Sequence, residues 1–223
     1  MSDLHTVQEE APIGGVPSVA EVIDLIRNSI IEGEYAPNQR LIEADLSTTF
    51  GASRSSIRTA LFELASDGLI DRLPNRGSRV RSVSLDEAVE ILEVRIGIEG
   101  LCAAKAAERI TDEQIAEFTT LRSEIIASVE QGDLAEYSRL NQHLDQRIRD
   151  ISGHRTAVGI IERLRAQSVR HQFRLSYQFG RAKVSAPEHA EIIDAIIARD
   201  PDRAVEMTKR HLVSVIAALR ELG

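Results

Sequence analysis

The chain has no tryptophan, a single cysteine and few aromatic side chains, which make up 4% of its 223 residues. A lone Cys102 excludes an internal disulfide framework and a cysteine-based zinc site, and it fits a reducing cytosol. With aromatics scarce and apolar residues at 43%, a sizeable core must be built from Ala, Ile, Leu and Val, a composition that suits packed helices. Long hydrophobic runs are missing too. The stretch over residues 192–198 is interrupted by Asp194 and is far too short to span a bilayer, so no membrane partner and a cytoplasmic location are expected. Residues 1–17 are acidic and then spaced by Pro and Gly, with no basic start and no apolar run; they are expected to be a disordered arm, not a signal peptide. No HExxH, GxSxG or Walker-type string occurs. A metal-dependent hydrolase built on His189, His211 and Asp145 would therefore lack a recognisable nucleophile or general base, and no enzyme is expected.

What is present is concentrated in residues 41–80. Two short helical patterns are split by Gly51, Ala52 and Ser53 and followed by an arginine-rich hairpin pattern, which together spell a winged helix-turn-helix. Ile42, Leu46 and Phe50 recur every four residues, placing the apolar positions of the first pattern on one face. The second opens on Ser53 as a hydroxyl N-cap and turns Ile57, Leu61 and Leu64 inward, leaving Arg54, Ser55, Ser56 and Arg58 on its exposed first turns. Those turns of a recognition helix meet base edges in the major groove, where the planar fork of arginine matches guanine. Next, Leu69, Ile70, Arg72 and Leu73 run into a Pro74-Asn75-Arg76-Gly77 turn and then Ser78, Arg79, Val80 and Arg81, the two strands of a wing. Residues 54–81 hold six arginines against three acidic residues, whereas the whole chain carries a net charge of −8. That sign asymmetry is the usual mark of phosphate contact.

Residues 18–82, carried by the SRSSIRTAL run, the GLIDRLPNRGSRV wing and the preceding LIEADLSTTFGA, resemble the DNA-binding domain of GntR-superfamily bacterial transcriptional regulators. The resemblance implies that Ser53, Arg54, Ser55, Ser56 and Arg58 touch DNA from the recognition helix and that Arg76 and Gly77 at the wing tip enter the minor groove, while Arg79 and Arg81 along the wing strand suit phosphates. Ser56 stands where many relatives have Pro, and Ala44 where some carry a basic residue, so the operator sequence does not transfer.

A winged-helix module of about 65 residues leaves about 140 for a second domain with its own core. From Ser84 onward helix ends are legible: a Ser84-to-Glu87 capping box opens a long helix to about Arg109, and a Thr111-to-Gln114 box opens the next. Gly132 and Asp133 start a third, ending near Gly153; a fourth covers about residues 156–178; Pro187 reads as the first residue of another; Asp200 and Pro201 cap the last. The fold expected is mainly α, a winged helix-turn-helix with a small β-hairpin wing plus a C-terminal all-α bundle of about six helices over residues 83–223.

Within that bundle Asn141 and Asp145 lie four apart on one helix, about 6 Å along its axis, and two imidazoles, His189 and His211, sit on later helices. Each histidine alone, like His143, His154 and His171, reads as a surface or hydrogen-bonded residue. Residues 84–222 resemble the FCD ligand-sensing domain of the FadR branch of the same superfamily, through Val94-Arg95 with Glu99, the alanine pairs at 103–104 and 106–107, Leu140-Asn141, Glu188-His189 and residues 204–212. Many such domains hold a divalent metal with an Asp, a His four residues later and two further His. The matching positions are Asn141, Asp145, His189 and His211, so this chain departs at both residues of the first pair. The resemblance implies either a Zn, Ni or Mn site of two imidazoles with oxygen donors, or a polar pocket that binds an organic effector without metal. It also implies that Arg95 faces the pocket and anchors a small organic acid; the competing reading is a surface ion pair with Glu99. The whole reads as a homodimeric regulator on an inverted-repeat operator. Its rival is an architectural DNA-binding protein with a purely structural bundle, which would have no enclosed cavity.

Overall fold

The computed structural model describes residues 16–73, 76–176, 178 and 180–221, which form two compact units that meet in sequence between Arg81 and Ser82. The disordered arm expected over residues 1–17 lies almost entirely outside the described residues.

The first unit contains α1 (Val19–Ile31), β1 (Arg40–Leu41), α2 (Glu43–Thr49), α3 (Arg54–Ser66), β2 (Ile70–Leu73) and β3 (Gly77–Val80). Ser18 and Glu21 cap α1 reciprocally, and Val22, Ile26 and Ile30 drive its buried face against α3. Ile57, Ala60, Leu61 and Leu64 return the contact from α3, each at 3% exposure or less. Burying such side chains contributes about 1.5–3 kcal/mol apiece, enough to hold a small three-helix core together. The inward trio expected on the second helical pattern is therefore in place. The first pattern is shorter than its period suggested: Ile42 is the N-cap residue of α2 and 54% exposed, Phe50 is its C-cap, and only Leu46 enters the core. With seven residues, α2 has room for one inward turn. Gly51, at φ +61°, makes the turn into α3, closed by the Ser47 hydroxyl donating to the Ala52 carbonyl at 2.6 Å.

The wing is a three-stranded antiparallel sheet in the order β1, β3, β2. Leu73 pairs with Gly77, whose φ of +79° begins the return strand, and the Pro74-Asn75 part of the expected turn lies outside the described residues. Arg40 pairs with Arg79 and Leu41 with Ser78, adding a strand that a two-residue segment could not announce in sequence.

The second unit contains α4 (Leu85–Arg109), α5 (Asp112–Glu130), α6 (Leu134–Ser152), α7 (Arg155–Ser176), α8 (Arg181–Ile197) and α9 (Pro201–Glu221), the six helices of the expected bundle among the described residues. Ser84, Thr111 and Asp133 cap α4, α5 and α6 through their side-chain oxygens, and Asp200 accepts from the Arg203 N–H at the start of α9. One helix start differs from the expectation. Pro187 lies inside α8, which begins six residues earlier after Gly180 at φ +81°. Ala182, Ser185, Ala186, His189 and Ala190 form one buried face across the proline, so packing outweighs the hydrogen bond that the missing N–H forfeits. The core is aliphatic, as the composition required: Phe118, Ile125, Leu140, Leu144, Ile193 and Ile196 are all at 2% exposure or less. Long α4 runs through the middle, packed against α6, α7, α8 and α9.

Candidate DNA-reading surface and effector cavity

At the start of α3, Ser53 accepts from the Ser56 N–H at 3.1 Å, and its hydroxyl lies 2.8 Å from those of both Ser55 and Ser56. Three hydroxyls thus cluster on the helix N-terminus beside Arg54, which is exposed and forms no ion pair among the described residues. Arg58, four residues on, is exposed on the same face but lies against Glu43 of α2. Their hydrogen bonds hold the Glu43 carboxyl below the usual carboxylate range. On the wing Arg76 and Gly77 are exposed at the tip, and Arg79 donates to Asp71 at 3.0 Å. Arg40 was missed in the sequence: exposed on β1, its Nη2 donates to the Arg76 carbonyl at 2.9 Å, which ties a further cation to the wing tip. The DNA-reading residues expected from the sequence therefore fall on two exposed places, the α3 N-terminus and the wing.

The second unit holds a partly open cavity of about 170 Å³ between α4, α6, α7, α8 and α9. Arg95, Asn141, Asp145, His189 and His211 all line it, together with Glu99, Arg149, Arg165, Tyr137 and Thr208. Arg95 is 4% exposed and bound to Glu99 at 2.7 Å, so the pair is internal to the bundle and not a surface pair. His189 Nε2 is 3.2 Å from His211 Nε2, His211 Nδ1 is 2.8 Å from the Glu188 carboxylate, and His189 Nδ1 is 3.4 Å from the Tyr137 hydroxyl. Burial, aided by neighbouring His211, drives the His189 pKa down to about 3, and burial pushes the Tyr137 phenol up to about 12. With neutral imidazoles one assignment satisfies every contact: Tyr137 donates to His189, His189 to His211, and His211 to Glu188, which Arg181 holds at 3.1 Å. Of the remaining histidines, His171 is hydrogen-bonded to the Val83 carbonyl at 2.9 Å and His154 accepts from the Ala157 N–H at 3.3 Å.

The four residues matched to a metal set share this cavity without forming a coordination sphere. Two Nε2 atoms 3.2 Å apart suit a hydrogen bond, and would also suit two ligands of one ion. The remaining donors do not follow. Asp145 is bound to Arg165; burial opposes its ionisation, but Arg165, His189 and Arg149 together bring the carboxyl down to about 2. Asn141 offers a neutral amide oxygen, buried and without a partner. Among the described residues no three His, Cys, Asp or Glu side chains are grouped to hold an ion. The physical reason is Arg165, a built-in cation that takes up the only ionised member of the set. No sequence spacing links Arg165 to Asp145 twenty residues away on another helix.

A winged helix-turn-helix with exposed arginines, joined in one chain to a helical unit around a charged cavity, defines a two-part regulator of transcription. The chain belongs to the GntR family: residues 18–80 match the profile of bacterial regulatory proteins, gntR family, and residues 90–214 that of the FCD domain. It is similar to the HTH-type transcriptional repressor RspR of Escherichia coli K12, 26% identical over 92% of this chain and 90% of the relative. Likewise it is 24% identical to the repressor GlaR of the same strain over 88% of this chain and 93% of the relative. Among solved structures, E. coli McbR/YncC shares the fold at a TM-score of 0.75 and 22% identity, covering 93% of this chain and 99% of that one. A GntR regulator from Rhodococcus sp. RHA1 does so at 0.70 and 20% identity, covering 92% and 98%. The chain is thus a GntR-family transcriptional regulator with an FCD domain and not an enzyme. Among the described residues no helix is long and apolar enough to cross a membrane.

Proposed function

We propose that this protein is a cytoplasmic, homodimeric repressor or activator whose operator affinity is set by a small organic acid bound in the bundle cavity. The observation that carries the reading is the cavity itself, a concave space inside the helical unit with arginine, asparagine and histidine side chains converging on it. A purely structural bundle gains little from buried charges there, since even paired ones are often no more stabilising than apolar packing of the same volume. Ser53, Arg54, Ser55, Ser56 and Arg58 read bases from the recognition helix, while Arg76, Gly77 and Arg79 engage the backbone and minor groove from the wing. One recognition helix supplies too few base contacts for a useful specificity ratio, so two copies act together on an inverted repeat.

The dimer contact assigned here is the outer face of α4. Val94 and Leu101, seven residues apart and therefore on one helical face, are 53% and 39% exposed, and Gly97 between them faces open space. Such an apolar stripe with a small residue at its centre suits close approach of a second helix. Effector binding that favours one arrangement of the paired DNA-binding units would change operator affinity by a coupling of about 1–3 kcal/mol, roughly 5- to 150-fold. The test is a thermal-shift screen of small acids on the full chain, followed by DNA binding with and without each hit. A stabilising acid that also shifts affinity for a duplex selected from random sequence supports the reading. Stabilisation by none of the acids would leave the architectural protein as the better account.

A further inference from the structure

Among the described residues, four buried polar atoms lining the cavity have no hydrogen-bond partner: Arg95 Nη1, Asn141 Oδ1, Arg149 Nε and Thr208 Oγ1. An unmade hydrogen bond in a buried place is costly, so four around one cavity outline what a ligand must supply. Two are donors on cations, one is an acceptor, and the hydroxyl serves either way.

The charges narrow the choice. Three guanidiniums at the cavity are neutralised within the protein, Arg95 by Glu99, Arg165 by Asp145 and Arg181 by Glu188. Arg149 forms no ion pair among the described residues: its Nη2 donates to the neutral Gln146 amide at 2.6 Å, and Asp145, Glu99 and Glu162 act on it only through space. Burial, and then repulsion from Arg165, pull the Arg149 pKa below its ordinary value against the smaller attraction of Asp145, Glu99 and Glu162. Glu99 acts electrostatically on Arg149 and Arg165 as well as binding Arg95, so the three guanidiniums surround one carboxylate. The two cationic donors left open, Arg95 Nη1 and Arg149 Nε, serve one carboxylate; a second would find only the Thr208 hydroxyl, and the ammonium of an amino acid would face the guanidiniums. The volume, about 170 Å³, is close to that of a cavity that holds benzene, which limits the ligand to roughly six to ten non-hydrogen atoms.

Resting on the small-acid reading above, we propose that the cavity binds, without a metal ion, a small monocarboxylate bearing at least one hydroxyl. Its carboxylate accepts from Arg95 Nη1 and Arg149 Nε, and its hydroxyl donates to Asn141 Oδ1. Arg165 occupies the Asp145 carboxylate that a metal would need, and Arg149 supplies the positive charge that the metal would otherwise bring. The Tyr137, His189 and His211 chain then serves as a neutral hydrogen-bonded wall and not as a ligand set.

The test uses the full chain in two arms. In the first, protein incubated with Zn²⁺, Ni²⁺ or Mn²⁺ and desalted is assayed for bound metal; a content near zero is expected, and one ion per chain overturns the metal-free site. In the second, melting is followed in EDTA with glycerate, 2-hydroxybutyrate and threonate against propionate and butyrate. At least one hydroxy acid should raise the melting temperature more than its matched alkanoate. Arg149→Gln and Asn141→Leu should each weaken its affinity by about tenfold or more, while Arg149→Gln leaves the ligand-free protein as stable as before or more so. Hydroxy acids that stabilise only when metal is restored overturn the metal-free site and leave the sensor reading standing. Equal effects of alkanoates overturn the hydroxyl assignment. No effect from any acid overturns both readings together.

Discussion

Arg58 of the recognition helix lies against Glu43 of the preceding helix, Nη2 2.9 Å from Oε2 and Nε 3.3 Å from Oε1. An exposed pair of this kind adds little to stability, so its consequence is directional: the carboxylate fixes where the guanidinium points and cancels its charge toward random DNA. Glu43→Gln should therefore raise binding to random duplex more than binding to a selected operator, lowering the specificity ratio in competition assays. A ratio that rises or stays constant would assign Glu43 a merely structural part.

Among the described residues Arg54 has no such partner, and it sits at the first position of α3. Arg54→Ala should cost about 1–3 kcal/mol of operator binding and relax preference at one base-pair position. Gel-shift measurements on single-base-pair operator variants check this; a loss spread evenly over all variants would move Arg54 to the phosphate backbone.

The wing arginines should behave in the opposite way. Arg79→Ala and Arg40→Ala are expected to weaken specific and random DNA binding alike, each flattening the plot of log affinity against log salt by about one unit. Unchanged salt slopes would remove these side chains from the phosphate contacts.

The exposed stripe on α4 predicts a dimer that one charge can split. Leu101→Glu should turn the full chain into a monomer in light scattering and reduce operator affinity, with its melting temperature little changed because the side chain is 39% exposed. A variant that stays dimeric places the contact elsewhere.

His189 carries a prediction about acid. Its ordinary pKa of 6.5 falls to about 3 in the folded chain, so between these values the unfolded chain holds a proton that the folded chain does not. Stability then falls as pH drops from about 6.5 toward 3 and is fully present above 6.5. Asp145, depressed from 3.8 to about 2, continues the loss in the same direction below pH 4. Urea midpoints at pH 7 and pH 4.5 should differ in this sense, and His189→Gln should shrink the difference. An identical difference in the variant would assign the acid sensitivity to other groups.

Much of this protein is written locally. The Ser53 cap, the inward spacing of Ile57, Leu61 and Leu64, the clustered arginines and the caps at Ser84, Thr111, Asp133 and Asp200 depend on neighbours within a few residues, so the winged module, the helical bundle and the exposed arginines of α3 and the wing follow from the chain itself. The resemblance also brought Asn141, Asp145, His189, His211 and Arg95 to one place, and they do line one cavity. What depends on distant chain segments was decided only in three dimensions. The two-residue strand at Arg40 exists because β3 is there to pair with, and α8 continues through Pro187 because its small residues pack on both sides of it. Likewise Asp145 is held by Arg165 from another helix, and among the described residues Arg149 forms no ion pair where three other arginines at the cavity do. Ion pairs between helices have no periodicity to read, yet they determine what the cavity can bind, because in a buried space the charge that remains unpaired selects the ligand.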